Sequence, residues 1–337
     1  MATASEALEA ARRSPRPRPH TEADRISALP VVLSRVDVEG VSARYRRDPN
    51  SGALLRPAQA RALEAIRLHG GLLGPIGTGH GKSLITLLAP VAAGAKRPLL
   101  LIPANMRVPI GLEREKFRGT WALAENLRVE SYSALSIESG AKLLQEYAPD
   151  LIIADEAHNL RHLTSARSKR LIEYFVKNPS TKFVAVSGTL TARSLKDYAH
   201  LAELALRDNT PVPRERFDLE GWARILDANQ EPQGDTDWLL FQALFPDWRQ
   251  YSPGERRHVA RKRFSERLNS APGVVATSDA SVGASLYFGE TTIPPCSVIS
   301  AHLKELEKTW TRPDGEELAD PMALARVGKQ LSLGFYY

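Results

Sequence analysis

Residues 70–89, GGLLGPIGTGHGKSLITLLA, run from a short apolar burst through a glycine-rich bend into a segment of helical composition. Gly77, Gly79 and Gly81 let the backbone curl so that successive N–H groups aim at one place. A helix starting near Lys82 would add its partial positive charge there. The strict phosphate-loop pattern G-x-x-x-x-G-K-[ST] asks for glycine at 76, where this chain has Ile76; Gly77-Thr78-Gly79-His80-Gly81-Lys82-Ser83 meets the looser spacing T-G-x-G-K-[ST]. Lys82 is expected to reach the β- and γ-phosphates of ATP, and the Ser83 hydroxyl to bind Mg²⁺. His80 reads as loop filler. The competing reading is a glycine-rich turn that merely precedes Lys-Ser.

Outward from this bend the chain alternates apolar bursts with helical segments. The bursts are GGLLGPI at 70–76, PLLLIP at 98–103, LRVESYSAL at 127–135, DLIIAD at 150–155 and KFVAVSG at 182–188. Short, nearly unbroken apolar runs suit parallel strands covered on both faces. Residues 57–68 read as a helix ahead of the first burst, and the segments 83–94, 136–147 and 165–177 supply the crossover helices. The fold class expected is therefore α/β, a doubly wound parallel sheet, over residues 51–210. Residues 1–50 read as a flexible leader, with proline and arginine alternating at 14–20, and 211–337 as a mainly helical extension.

The burst at 150–155 ends in Asp155-Glu156-Ala157-His158. A carboxylate at the carboxyl end of a strand, beside a phosphate loop, sits where α/β sheets collect ligand chemistry. Asp155 is expected to hold Mg²⁺ through its water shell, and Glu156 to orient and deprotonate an attacking water. Alone, the same four residues could be an acidic helix start.

In this order the motifs resemble the first RecA-like lobe of superfamily 2 helicases, in the branch that includes Swi/Snf-type translocases; the likeness covers about residues 52–205. The resemblance implies a P-loop nucleotide fold, an ATP hydrolase with ATP and Mg²⁺ as ligands, and a nucleic-acid partner, DNA rather than RNA. It implies adenine recognition by Gln59, contact with a DNA strand's backbone from the segment holding Asn105 and Arg107, and coupling of hydrolysis to movement by His158, Ser187, Gly188 and Thr189. It also implies a second RecA-like lobe that completes the site. No second phosphate-binding sheet or arginine finger is recognisable after residue 210, so that lobe is expected in cis in a longer chain or in trans. Hydrolysis by this chain alone is expected to be weak. The alternative is a nucleotide-gated DNA-binding or regulatory module without motor output; a kinase-like enzyme is a third, weaker reading.

Composition narrows the partners. A net charge of +6 favours polyanions without demanding them. The basic run at 256–267, with Arg257, Arg261 and Arg263 at helical spacing, could meet phosphates or could be a solvated or lobe-contacting face. Trp222, Trp238 and Trp248 read as packing residues. One cysteine, Cys296, excludes an internal disulfide, and zinc spacing is absent. No apolar run is long enough to span a bilayer, and the first residues lack a secretory pattern, so the cytoplasm is expected, the host's if the gene belongs to a phage.

Overall fold

The computed structural model describes residues 22–32, 35–137, 139–190, 194–277, 296–318 and 320–332. The proline–arginine alternation at 14–20, residues 278–295 of the expected helical extension and the last five residues lie outside the described residues. The chain divides into two compact units, Met1–Gly283 and Ala284–Tyr337.

The first unit is organised by a parallel sheet of β1 (Leu72–Gly74), β2 (Pro98–Ile102), β3 (Arg128–Ser131), β4 (Leu151–Asp155) and β5 (Lys182–Val186), in spatial order β1-β5-β4-β2-β3. Each of the five apolar bursts contains one of these strands. Their side chains divide between two cores residue by residue. Leu73, Leu99, Leu101, Ile152, Ala154, Phe183 and Ala185 join one core, while Leu72, Leu100, Ile102, Leu151, Ile153, Val184 and Val186 join the other. Alternation with both faces buried is why these strands are apolar throughout. β3, at the edge, is the exception: Arg128 is exposed and Ser131 alone is buried.

The second of these faces is covered by α2 (Val38–Tyr45), α3 (Pro57–His69), α4 (Lys82–Ala93) and part of α5 (Arg107–Arg118). The first is covered by α1 (Glu22–Ser27), α6 (Tyr132–Ser136), α7 (Ser139–Tyr147), α8 (Ala166–Lys177), α9 (Leu195–Leu206), α10 (Arg216–Leu226), α11 (Gly234–Phe241) and α12 (Pro253–Asn269). The helical stretch after 210 thus adds Trp222, Phe241, Phe245 and Trp248, all fully buried, to the core that already holds β4 and β5. Trp238 stacks on Trp248 with ring centroids 5.8 Å apart. The division expected at residue 210 is therefore corrected: packing is continuous through it, because aromatic side chains from α10–α12 fill the sheet's own face.

The expected leader also needs correction in its described part. Ile26 is fully buried, and Arg25 donates to the carbonyls of Thr210 and Val212 while paired with Glu22. Tyr45 and Val41 of α2 enter the opposite core. The second unit contains α13 (Ser297–Thr309) and α14 (Pro321–Ser332), which share a small core of Leu306, Val327 and Leu331.

One pairing extends the sheet beyond β1. Leu73 N donates to Gly273 O, Val275 N to Leu73 O and Thr277 N to Pro75 O, a parallel ladder between segments 200 residues apart. With every strand parallel, the carboxyl ends of β1, β2, β4 and β5 lie on one edge of the sheet. The residues following them are Pro75–Lys82, Pro103–Arg107, Glu156–His158 and Ser187–Thr189.

Candidate functional site

The bend at 75–81 begins with Ile76, which is fully buried. The position where the strict pattern has glycine is here a core position, which accounts for the departure. The bend ends at Gly81, whose φ of 75° is left-handed and whose absent Cβ would stand 2.3 Å from Gln59 Nε2. Any side chain there would be both strained and obstructed. Lys82 then opens α4, so the first N–H groups of a twelve-residue helix face the bend.

Glu156 follows β4 directly, with φ 54° and ψ 53°. A non-glycine residue in this region carries strain of roughly 1–2 kcal/mol, of the kind that persists where surrounding contacts dictate it. Those contacts are present. Asn159 Nδ2 donates to Glu156 O at 2.9 Å, and Tyr132 Oη donates to Asp155 O at 2.7 Å from within the core. Tyr132 has a structural role that the sequence reading missed, although it lies inside the burst quoted at 127–135.

Bend and acidic turn meet. Lys82 Nζ lies 3.7 Å from Glu156 Oε1 and 3.4 Å from Gly77 O. Glu156 Oε2 accepts the Ser187 hydroxyl at 2.9 Å, and His158 Nδ1 stands 3.0 Å from Ser187 Oγ. Thr189 N donates to the same Oγ at 3.3 Å. Gly188 presses on the bend, its missing Cβ only 3.7 Å from Gly77 Cα. Lys82, Glu156, His158, Ser187 and Thr189 therefore form one continuous network of contacts.

Asp155 is buried at 6 % exposure. Burial pushes its carboxyl up to about 6, the neighbouring Glu156 charge pushes the same way, and Lys82 partly opposes both. A buried carboxylate in that condition gains from a cation. Together with the half-buried Ser83 hydroxyl at the head of α4 it offers only oxygen ligands, the donor type that Mg²⁺ selects. The residues present fit the ion.

Gln59 is buried and both ends of its amide are engaged within the chain. Oε1 accepts from Arg56 N at 2.8 Å and Nε2 donates to Gly81 O at 3.1 Å. Arg56 Nη1 also donates to Gly79 O. The start of α3 thus holds two carbonyls of the bend turned away from its interior. Arg56 carried no motif signal. Thr78, Gly79 and the half-buried His80 form the outer part of the bend.

Asn105 and Arg107 are exposed just beyond the carboxyl end of β2, with Arg107 paired to Glu130 at 2.8 Å. The basic run is different. Arg257 donates to the carbonyls of Ile225, Asp227 and Gln230, and Arg261 donates to Leu226 O at 2.8 Å. These cations cap the carboxyl end of α10. Arg263 makes a double contact with Asp247 and lies over the Phe245 ring, its guanidinium carbon 4.5 Å from the ring centre. The three arginines expected at an interface with phosphates are thus bound to the chain's own groups.

Compared with known protein families and with curated proteins, the sequence matches none.

Proposed function

We propose that this chain binds ATP and magnesium in the bend between β1 and α4 and hydrolyses the nucleotide as the ATP-binding lobe of a superfamily 2-type nucleic-acid motor, with a P-loop NTPase fold. One observation carries the reading: Lys82, at the head of a helix, lies 3.7 Å from Glu156, beside a buried Asp155, on the carboxyl edge of a parallel sheet. A cation, a carboxylate pair and an array of helix-end N–H groups converge where a polyphosphate and its metal would sit.

Lys82 would exchange the Glu156 carboxylate for phosphate oxygens. That exchange frees Glu156 to take a proton from water, while Ser187 keeps the other carboxylate oxygen oriented. Ser83 and Asp155 would hold the magnesium, which supplies charge neutralisation to the phosphates when bound.

Movement along nucleic acid rests on the collinear motif order and on Asn105 and Arg107, exposed on the same sheet edge. A second lobe, in cis or in trans, would complete the site. Duplex DNA is the track that the resemblance favours.

The test is magnesium-dependent nucleotide binding, then steady-state hydrolysis with and without duplex DNA. Lys82→Ala should abolish binding. Glu156→Gln should bind and lose turnover by about 10²-fold or more, the usual contribution of a positioned base. Binding without turnover in the unaltered chain assigns it instead to a nucleotide-gated module that needs its partner lobe. No magnesium-dependent binding at all overturns the proposal.

A further inference from the structure

Resting on the nucleotide reading, we propose that Thr277 is a positioning residue of the phosphate bend, holding it in its binding shape from the opposite side to Ser187 and Gly188. The Thr277 hydroxyl accepts the Gly77 N–H at 2.8 Å. Its own N–H donates to Pro75 O at 3.2 Å, continuing the ladder that runs from Gly273 alongside β1. The backbone contact places Thr277, and the side-chain contact reaches past the end of the strand into the bend.

On the other flank, Ser187 N donates to Gly74 O at 3.1 Å and Gly188 packs against Gly77. The entry to the bend is therefore gripped between two segments, one ending β5 and one arriving 200 residues later in sequence. The β5 side also carries the contact to Glu156. Among the described residues the Thr277 side carries no catalytic group, and its contribution is to the shape of the bend.

Gly77 sits at the centre of this grip. Its carbonyl accepts from Lys82 Nζ at 3.4 Å, and its N–H is satisfied by Thr277. When Lys82 turns to phosphate, the carbonyl contact is released and the Thr277 contact remains to hold the Gly77 peptide in place. Without the hydroxyl, the N–H loses its acceptor and the bend gains freedom to turn toward another one. Binding then bears the cost of selecting the competent shape. Threonine 277 could not be found from motif spacing, since its link to the bend depends on a parallel pairing across most of the chain.

The experiment compares Thr277→Val, which keeps shape and removes the acceptor, with Thr277→Ser, which keeps the acceptor. Affinity for a fluorescent ADP analogue with magnesium should fall about tenfold in Thr277→Val, the scale of one lost hydrogen bond, and recover in Thr277→Ser. Amide exchange at Gly77, read on the ligand-free chain, should quicken in Thr277→Val and not in Thr277→Ser. That second readout stands without any nucleotide. Equal affinities and equal exchange in the unaltered chain and Thr277→Val would overturn the proposal, as would a Thr277→Ser that behaves like Thr277→Val. If the unaltered chain binds the analogue and Thr277→Val matches it, the nucleotide reading survives and this role does not. If the unaltered chain binds no analogue, the nucleotide reading falls, and the exchange comparison alone decides whether Thr277 holds the bend.

Discussion

The hydroxyl of Ser187 donates to Glu156 Oε2 over 2.9 Å, joining the end of β5 to the residue that follows β4. A hydroxyl has one proton. With that proton on Glu156, Ser187 Oγ can only accept from its other neighbours, Thr189 N at 3.3 Å and His158 Nδ1 at 3.0 Å. His158 therefore carries its hydrogen on Nδ1, which also faces Glu156 Oε2 at 3.2 Å. The carboxylate thus meets the Ser187 hydroxyl from the end of β5 and the His158 imidazole from its own turn after β4.

Removing the hydroxyl separates orientation from binding. Ser187→Ala should leave nucleotide affinity within about twofold, because Lys82 and the bend are untouched, and lower turnover about tenfold, the cost of one charge-assisted hydrogen bond. Paired measurement of affinity and single-turnover rate checks it. A loss of affinity with an unchanged rate would place Ser187 in nucleotide binding instead.

Asp155 imposes a pH dependence whose sign follows from its environment. Its carboxyl, raised from an ordinary 3.8 to about 6, keeps its proton in the folded chain after the unfolded chain has lost it. Between pH 4 and 6 the folded state binds more protons, so this group makes stability fall as pH rises. Above pH 6 the whole cost is present, about 3 kcal/mol from roughly two units. Asp155→Asn should stabilise the ligand-free chain by up to that amount at pH 7.5 and by almost nothing at pH 4. Denaturant unfolding across this range gives the answer.

His200 acts in the opposite direction. It is buried, its Nε2 donates to Leu160 O at 2.9 Å, and its Nδ1 has no hydrogen-bond partner among the described residues. Burial pulls the imidazole down from 6.5 to about 4. As pH falls from 6.5 to 4 the unfolded chain takes a proton that the folded chain refuses, and stability is lost, again by about 3 kcal/mol. From pH 4 to 6 the two groups nearly cancel. His200→Gln, which can still donate to Leu160 O, should leave a chain that grows more stable on acidification over that range; Asp155→Asn should leave one that grows less stable. Identical pH profiles for the two variants would contradict both environments.

The parts of this structure legible in sequence are those fixed by local spacing. The five strands announce themselves because both faces of each central strand are buried, which forces runs such as LIIA at 151–154. Lys82, Asp155 and Glu156 stand out in the sequence because the proposed phosphate chemistry would demand such residue types at the ends of such strands. What stayed hidden depends on partners distant in the chain. Arg25 looked like part of a solvated leader, yet its donors are spent on carbonyls at 210 and 212. Gln59 carried a motif signal, but nothing local indicated that its amide would be engaged by Arg56 and Gly81. Trp222 signalled burial without signalling which core it would join.

Arg257 is the residue on which the two readings of the basic run part most sharply. As a phosphate contact it would add to the salt dependence of DNA binding, by about one unit of slope in log affinity against log salt. As observed, its side chain is 17 % exposed and its guanidinium serves the carbonyls of Ile225, Asp227 and Gln230, where α10 has ended and no further turn satisfies them. Arg257→Ala strands those acceptors and should cost about 2 kcal/mol, the scale of hydrogen bonds from a charged donor. Arg257→Lys should recover little, because one ammonium cannot reproduce the spread of the planar fork. Urea unfolding and DNA titrations at several salt concentrations measure both quantities on the same proteins. Lost stability with an unchanged salt slope assigns Arg257 to the fold; a shallower slope with unchanged stability returns it to the nucleic acid.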